Sequence, residues 1–324
     1  MWAARLLLMS ATLILFGSSL FFVYVFQVAG AEAIASVRAW TRRLLRFSAA
    51  GALLATLVGL LLESIVAAGG VRDGLSWPAA ASVVTQTRFG RVCMLRAALL
   101  VLALALRLPL EASRRPQWHL QSLCGAAAVA TLVWTGHGSA GVGMAGFLHR
   151  GADLLHLFSA AVWAGALLPL AILVLRGSRH PSGLDTRLLG AGLVQFSGFA
   201  PVIVALLVLS GAVNTAFGIG LGSWHHAAAW RSAVASPYFR VLFAKLALFA
   251  LMLVLAAVNR YRLVPRLTAL PSAPTVQRTT LGSLRRSLLA ETLLALAVLA
   301  AVAVLGTLEP PDTVLSLRAV QRYG

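Results

Sequence analysis

The sequence has few of the residues that a protein needs to cover a surface exposed to water. Only 11% of its 324 residues are charged, and just nine residues are Asp or Glu. Soluble domains carry roughly 25% charged residues, whereas this chain is 60% hydrophobic and has a mean hydropathy of +0.88. This shortage argues against a soluble fold and favours a single helical membrane domain.

Thiol ligands and catalytic motifs are equally scarce. The two cysteines, Cys93 and Cys124, begin different apolar blocks, and we expect them near opposite membrane faces, too far apart to form a disulfide. No Cys-x-x-Cys pair occurs, which argues against an all-thiolate metal site. The chain also has no nucleophile elbow, His-Glu-x-x-His motif or P-loop, so we expect no enzymatic activity.

Apolar blocks of about 20 residues follow one another along the chain, and a helix of that length crosses a hydrocarbon core of ~30 Å. We therefore predict an all-α, polytopic membrane bundle over residues 1–324, with very little structure outside the bilayer. The connection from Pro265 to Gln277 contains three prolines and is predicted to be an irregular linker. About eight spans are expected, near residues 6–29, 47–69, 90–109, 119–136, 152–175, 192–217, 239–258 and 287–307.

The distribution of arginine gives the bundle an orientation. A formal charge of +18 would suggest nucleic acid in a soluble protein, but here the arginines lie in short loops and we expect no nucleic-acid partner. The loops after spans one, three, five and seven hold sixteen Lys or Arg residues, against six in the other loops. The positive-inside rule then places both termini in the periplasm of a bacterial inner membrane.

Several polar side chains lie inside the predicted spans, where lipid should exclude them. Glu63, Arg96, His156 and Lys245 each fall about 10 Å below the outer surface, with Asn214 slightly shallower. One interpretation is snorkelling side chains plus a structural Glu63–Arg96 ion pair. The other is a polar chamber open to the outside, which the shared depth favours.

Glu291 differs from these residues because it is predicted one turn inside the cytoplasmic end of the eighth span. At that position helix capping, or an ion pair with Arg285 or Arg286, explains a carboxylate without any function.

A histidine-rich segment lies at the predicted outer edge, where spans four and five meet. If the fifth span is helical from about residue 149, then His149, Asp153 and His156 share one face at i, i+4 and i+7. Two imidazoles and a carboxylate suit zinc or Cu(II), and Met144 in the connecting loop would shift the preference toward copper. His137, between two glycines, can reach the same place.

Two further features extend this pattern. Trp163, seven residues after His156, continues the stripe toward the membrane interior. His225 and His226 follow Trp224 in the next outer loop and form a possible secondary metal site. Interfacial histidine and tryptophan are also common without any function, so His225 and His226 are weaker candidates than the stripe on the fifth span.

With those residues located, the chain resembles the copper resistance protein D family, the CopD and PcoD membrane proteins. The resemblance covers most of the chain and is most specific over residues 134–311. The matching pieces, in order, are Thr87 to Arg91 with Leu95-Arg96, Thr135-Gly136-His137, Asp153 to His156, Val162 to Gly165, Ser236 to Arg240 with Lys245, Asn259-Arg260 with Pro265, Arg286-Ser287 with Glu291, and Leu305 to Pro311.

The resemblance implies an eight-span inner-membrane protein of copper homeostasis that moves copper from periplasm to cytoplasm beside a periplasmic, CopC-like copper-binding protein. The bound ion would be Cu(I) or Cu(II), with His137, His149 and His156 as ligands. Asp153 would be a further ligand or a partner that fixes an imidazole tautomer, and Met144 an optional soft ligand. Below them, a transport path would be formed by Glu63, Arg96, Asn214, Lys245 and Trp163.

Two alternatives stay open. A b-type cytochrome or quinone-linked oxidoreductase could hold haem between His137 and His156, and it would show a Soret band. A sensor or scaffold that does not transport would bind periplasmic copper and recruit a soluble partner without copper accumulating in the cell.

Overall fold

The computed structural model of the chain is helical throughout the part that it describes. The described residues are 2–28, 31–106, 115–135, 143–178, 183–219, 234, 236–268 and 274–308. No β-strand occurs in these ranges, which confirms the predicted all-α class.

The helices follow one another with short connections. In chain order they are α1 (Trp2–Val28), α2 (Ala31–Ala67), α3 (Val71–Gly74), α4 (Trp77–Gln86), α5 (Arg88–Ala105), α6 (Arg115–Ala130) with a 3₁₀ turn (Thr131–Thr135), α7 (Gly143–Gly177), α8 (Leu184–Ile219), α9 (Pro237–Val258) with a π segment (Asn259–Leu263), α10 (Val264–Thr268) and α11 (Pro274–Leu305).

The chain is a multi-pass helical membrane protein. Large apolar side chains such as Leu54, Val208 and Phe243 are exposed on the outside of the bundle, where lipid rather than water would cover them. Among the described residues, six stretches are long and apolar enough to cross a bilayer: Trp2–Gln27, Ser36–Ala67, Gly143–Gly177, Leu184–Phe217, Pro237–Leu267 and Thr279–Leu305.

The predicted third and fourth spans correspond to shorter helices. α5 has 18 residues and carries three arginines, and α6 has 16 residues before the 3₁₀ turn. Both therefore lie outside the set of six, and the total of eight spans, like the orientation, stays a prediction.

The connection between α2 and α5 is more ordered than the sequence predicts. Ser64 Oγ donates to the carbonyl of Gly74 at 2.8 Å, which fixes α3 against the end of α2. Ser76 then caps α4, since its side chain accepts from the backbone N–H of Ala79. Thr87 caps α5 in the same way, accepting from Gly90 N at 2.9 Å. Two short helices, α3 held to the end of α2 by Ser64 and α4 capped by Ser76, thus occupy the connection that we predicted as a loop.

The irregular linker predicted from Pro265 is wrong at both of its ends. The chain leaves α9 through the π segment and continues directly into α10, so Pro265 occupies the second position of a short helix. Pro274 in turn begins α11, and residues 269–273 lie outside the described part.

α1 lies at the centre of the bundle and contacts α2, α6, α7, α8 and α11. It crosses α7 at a pair of glycines, Gly17 and Gly165, where the two backbones touch. A Cβ on Gly17 would lie only 1.8 Å from the carbonyl oxygen of Ala161, and Ser18 Oγ donates to the Gly165 carbonyl at 2.8 Å. Such small-residue crossings let helices pack closely within a membrane. This crossing fixes α7, which carries most of the candidate site.

The two cysteines are both buried and free, as expected.

Candidate functional site

The predicted stripe on α7 faces α8. His149 stacks on Phe217, Asp153 accepts a hydrogen bond from Asn214, and His156 contacts Ser210. The α8 residues Ser210, Asn214 and Phe217 are also spaced i, i+4 and i+7, and they pair with the α7 residues in reverse order. Two similar stripes therefore meet between antiparallel helices. This pairing places all three candidate ligands of α7 along one helix–helix interface.

The outer end of the stripe is formed by His149. Its ring lies parallel to that of Phe217, with 4.7 Å between centroids and an interplanar angle of 9°. Stacking on Phe217 fixes the orientation of the imidazole plane, and the His149 side chain is half-buried. The histidine is therefore oriented but still accessible.

The middle of the stripe is a polar cluster. Asn214 Nδ2 lies 3.4 Å from Asp153 Oδ1, whereas the amide oxygen of Asn214 is buried and has no hydrogen-bond partner among the described residues. Lys245 on α9 interacts electrostatically with both Asp153 and His156. The cluster therefore offers a carboxylate and a free amide oxygen, beside one positive charge.

The inner end of the stripe fixes the tautomer of His156. Its Nδ1 lies 3.1 Å from Ser210 Oγ. The Ser210 hydroxyl donates its own proton to the backbone carbonyl of Leu206, so the oxygen must accept from Nδ1–H. A neutral imidazole with its proton on Nδ1 leaves the Nε2 lone pair free, which is the state that a metal requires. The ring packs against Gly211, where a Cβ would lie 3.3 Å from His156 Cε1.

The remaining predicted ligands lie elsewhere. Met144 belongs to the first turn of α7 and not to a loop, because the helix begins at Gly143, and it is 74% exposed. His137, His225 and His226 fall outside the described residues. Trp163 is buried two turns below His156 and packs edge-on against Phe196, with 5.8 Å between centroids.

Within the described residues, no three His, Cys, Asp or Glu side chains come together closely enough to hold a metal ion. The donors that the structure does provide are imidazole nitrogens and oxygens, a set that fits a borderline divalent metal or Cu(I) with an added soft ligand. A complete site therefore needs a further ligand besides the described stripe.

The other charged groups of the predicted chamber take separate positions. Arg96 is 1% exposed and donates to three oxygens: Nε to Thr131 Oγ1 at 2.7 Å, and Nη2 to Thr131 O and Thr135 Oγ1, each at 3.1 Å. Glu63 is half-buried near Cys93. No ion pair joins Glu63 to Arg96, both of which the structure describes, so the structural ion pair considered from sequence is wrong.

Arg96 instead ties α5 to the 3₁₀ turn. That turn ends at Thr135, two residues before His137 in the chain. Arg96 thus holds the end of the 3₁₀ turn that precedes the predicted ligand His137 in the sequence.

Glu291 also differs from its prediction. It is 3% exposed and accepts a hydrogen bond from Asn259 Nδ2 in the π segment, whereas Arg285 and Arg286 are exposed. Neither helix capping nor an ion pair with those arginines accounts for it, because α11 begins at Pro274 and Glu291 lies well inside it.

The sequence alone assigns no role to Ser210, Thr131 or Asn259, although Asn259 belongs to one of the pieces that resemble the family. A signal for Ser210 exists, since Ser210, Asn214 and Phe217 repeat the spacing of the α7 stripe. Asn259 is the first polar residue after the apolar run of α9. Thr131 carries no comparable signal, because threonine inside a span commonly bonds to its own helix, as Thr131 also does through the Ala128 carbonyl.

Comparison with known proteins gives consistent results. Residues 1–147 match the family described as copper resistance protein D-like, N-terminal domain, and residues 191–305 match the family described as copper resistance protein D. The chain is 36% identical over 313 residues to "Copper resistance protein D" of Pseudomonas syringae pv. tomato, covering 95% of this chain and 96% of the relative. It is 28% identical over 231 residues to "Copper transport protein CutJ" of Bacillus subtilis (strain 168), covering 68% of this chain and 39% of that protein. No solved structure matches the chain significantly.

Proposed function

Because the chain belongs to the copper resistance protein D family, we propose that it binds copper ions where α7 faces the end of α8. His149 and His156 serve as ligands, and His137, which precedes α7, is the third. Asp153 ligates directly or orients an imidazole, and Met144 adds a soft thioether when the ion is Cu(I).

One observation carries this proposal: the tautomer of His156. A metal-binding histidine usually donates its second N–H to a fixed acceptor, which orients the ring and frees the other nitrogen. The Ser210 hydroxyl is such an acceptor, because its own proton is directed to Leu206. Asn214 supports the same arrangement, because its amide oxygen has no hydrogen-bond partner among the described residues and adds a possible metal ligand beside Asp153.

The same polar groups would lead the ion inward. Asn214 and Lys245 form the first part of the path and Trp163 lies beneath it. Glu63 and Arg96, predicted as further members, lie apart from this interface, because Arg96 is bonded to the 3₁₀ turn. The positive charge of Lys245 opposes tight binding of a cation, and this favours release over storage.

The orientation proposed from the loop arginines places the site at the periplasmic face of the inner membrane, with both termini outside. Copper would be received there from a periplasmic copper-binding protein and moved toward the cytoplasm. His225 and His226, in a loop on the same side, are a secondary metal site in this proposal. The role is one of binding and transport, without an enzymatic reaction.

Copper binding by the full chain purified in detergent tests the proposal. We expect a stoichiometric amount of copper in the wild type, and its loss when His137, His149 and His156 are all replaced by alanine. His119→Ala, on α6, is the control and should retain copper. Absence of copper from the wild type, or equal loss in the control, would refute the site.

A second pair of variants tests the orienting role of Ser210. Ser210→Ala should weaken copper affinity about tenfold, since loss of such a partner typically costs 10- to 100-fold. Thr215→Ala removes a hydroxyl that only bonds to the Gly211 carbonyl of its own helix at 2.8 Å, and it should change nothing. A Soret band that disappears with the histidines would instead indicate a haem protein.

A further inference from the structure

A cavity of about 310 Å³ lies between α7, α8, the π segment and α11. It begins at Trp163, seven residues and about 10 Å along α7 from His156, on the far side of that tryptophan from the copper stripe. Its walls are mainly apolar, formed by side chains such as Leu170, Leu193 and Phe196. The volume falls at the lower end of the range for small-molecule pockets.

Three polar atoms of the residues that line this cavity have no hydrogen-bond partner in the described part of the chain: Trp163 Nε1, Asn259 Oδ1 and Arg260 Nη1. Trp163 is only 3% exposed and Asn259 6%. An unsatisfied buried polar group costs about 1–3 kcal/mol, so three together need an explanation. A ligand that accepts hydrogen bonds from the two donors, Trp163 Nε1 and Arg260 Nη1, explains two of the three.

The π segment places two of these groups. π-helical turns are rare and occur frequently at functional sites. Here the wider turn directs Asn259 toward Glu291, to which it donates its amide proton, and brings the neighbouring Arg260 to the same cavity. The Arg260 guanidinium carbon lies 5.5 Å from the ring centroid of Tyr261, which is 70% exposed.

The cavity opens sideways toward lipid. Pro201 on α8 and Ala257 on α9 line it and are themselves exposed on the bundle surface, as is Tyr261. A ligand would therefore arrive from within the membrane, and it must be lipid-soluble.

The chemistry of the lining narrows the class of ligand. Trp163 Nε1 and Arg260 Nη1 are donors on different helices, so the ligand must present acceptor oxygens in more than one direction. Neither group can ligate a metal ion. A phospholipid phosphate would pair with Arg260, but it would also bring a negative charge into a mainly apolar cavity beside the Glu291 carboxyl group, which favours a neutral acceptor over it. A neutral ring with two carbonyl oxygens satisfies both donors and suits the apolar walls.

We propose that this cavity binds a quinone-type molecule, with carbonyl oxygens accepting from Trp163 and Arg260 and the ring packed between α7, α8 and α9. This site is distinct from the copper stripe and does not depend on it. It requires binding only, and no electron transfer is part of the proposal.

Titration of the purified full chain with decylubiquinone, followed by tryptophan fluorescence quenching and equilibrium dialysis, tests the proposal. We expect saturable binding near one molecule per chain. Ala200→Leu fills the cavity and should weaken affinity at least tenfold, while Ala205→Leu, exposed on the same helix, should not. Trp163→Phe, which keeps the ring but removes the donor, should weaken affinity several-fold.

Arg260→Gln provides an independent variant in case Ala200→Leu fails to fold, and it should also lower affinity. Unsaturable uptake, or equal affinity in Ala200→Leu and Ala205→Leu, would overturn the proposal. Native mass spectrometry that finds a phospholipid bound in the wild type and lost in Ala200→Leu, with no displacement by quinone, would overturn it as well. Copper binding is measured on Ala200→Leu and Arg260→Gln and should be unchanged, so failure of this site and failure of the copper site are distinguishable.

Discussion

The crossing of α1 and α7 allows a stability prediction worked from interatomic distances. Replacing Gly17 by alanine places a methyl group 1.8 Å from the Ala161 carbonyl oxygen and 2.7 Å from Gly165 Cα. Both contacts are with backbone atoms, so no side chain can rotate away. The helices must separate until the methyl reaches ordinary van der Waals distance, roughly 3.5 Å or more.

Separation of the helices also weakens the hydrogen bond from Ser18 Oγ to the Gly165 carbonyl, which is 2.8 Å long. Overpacking costs typically 1–3 kcal/mol and a lost hydrogen bond about 1 kcal/mol. Alanine recovers up to about 1 kcal/mol through its higher helix propensity. We therefore expect Gly17→Ala to lower the free energy of unfolding by about 1–3 kcal/mol.

Unfolding in mixed detergent micelles, followed by tryptophan fluorescence, measures this effect. Gly59→Ala is the matched control, because it lies inside α2 and a Cβ there meets nothing within 4 Å. The control should be neutral or slightly stabilised. If both variants unfold at the same denaturant concentration, the close backbone contact does not exist in the folded protein and the reasoning is refuted.

Three further predictions concern charge and metal. Arg96→Ala should lower the free energy of unfolding by about 3 kcal/mol, because it removes three hydrogen bonds to the 3₁₀ turn and leaves a cavity. Arg91→Ala, at an exposed position, should cost less than about 0.5 kcal/mol, and chemical unfolding of both variants checks this. Lys245→Met should raise copper affinity about five- to tenfold, because it removes a nearby positive charge, whereas Arg240→Met at an exposed position should leave the affinity unchanged. Competition with a copper chelator measures both affinities, and weaker binding by Lys245→Met would contradict the prediction. Copper at 100 times its dissociation constant should stabilise the fold by about 2.7 kcal/mol, and a chelator added before thermal unfolding should abolish that gain; stabilisation that persists in the triple histidine variant would contradict it.

The sequence predicts the class of fold because apolar blocks of membrane-spanning length are a strong physical signal. It predicts helix ends poorly, since hydropathy does not detect amphipathic extensions. α2 begins at Ala31 and not near residue 47, because Val37, Thr41 and Leu45 are buried at four-residue spacing within a segment rich in arginine. Helical periodicity, and not hydropathy alone, carries that information.

The candidate site, like the helix ends, could be predicted from the sequence only in part. The spacing of His149, Asp153 and His156 predicts a common face, and in the structure all three contact α8; their role as ligands stays a prediction. Their partners depend on which helix packs opposite, which no local pattern determines. Glu291 was misinterpreted for the same reason, because its hydrogen bond to Asn259 requires two segments distant in sequence.

The π segment has a consequence for how the protein can change over evolutionary time. A π turn holds one residue more than an α turn, so Asn259–Leu263 is equivalent to a single-codon insertion in an otherwise regular helix. Deleting one codon there would restore the α register, turning the preceding residues by about 100° and shifting them about 1.5 Å relative to α10. Asn259 would no longer face Glu291, although α9 would keep its length and its apolar composition. One genetic event can therefore create or remove the polar end of the cavity while the span itself survives.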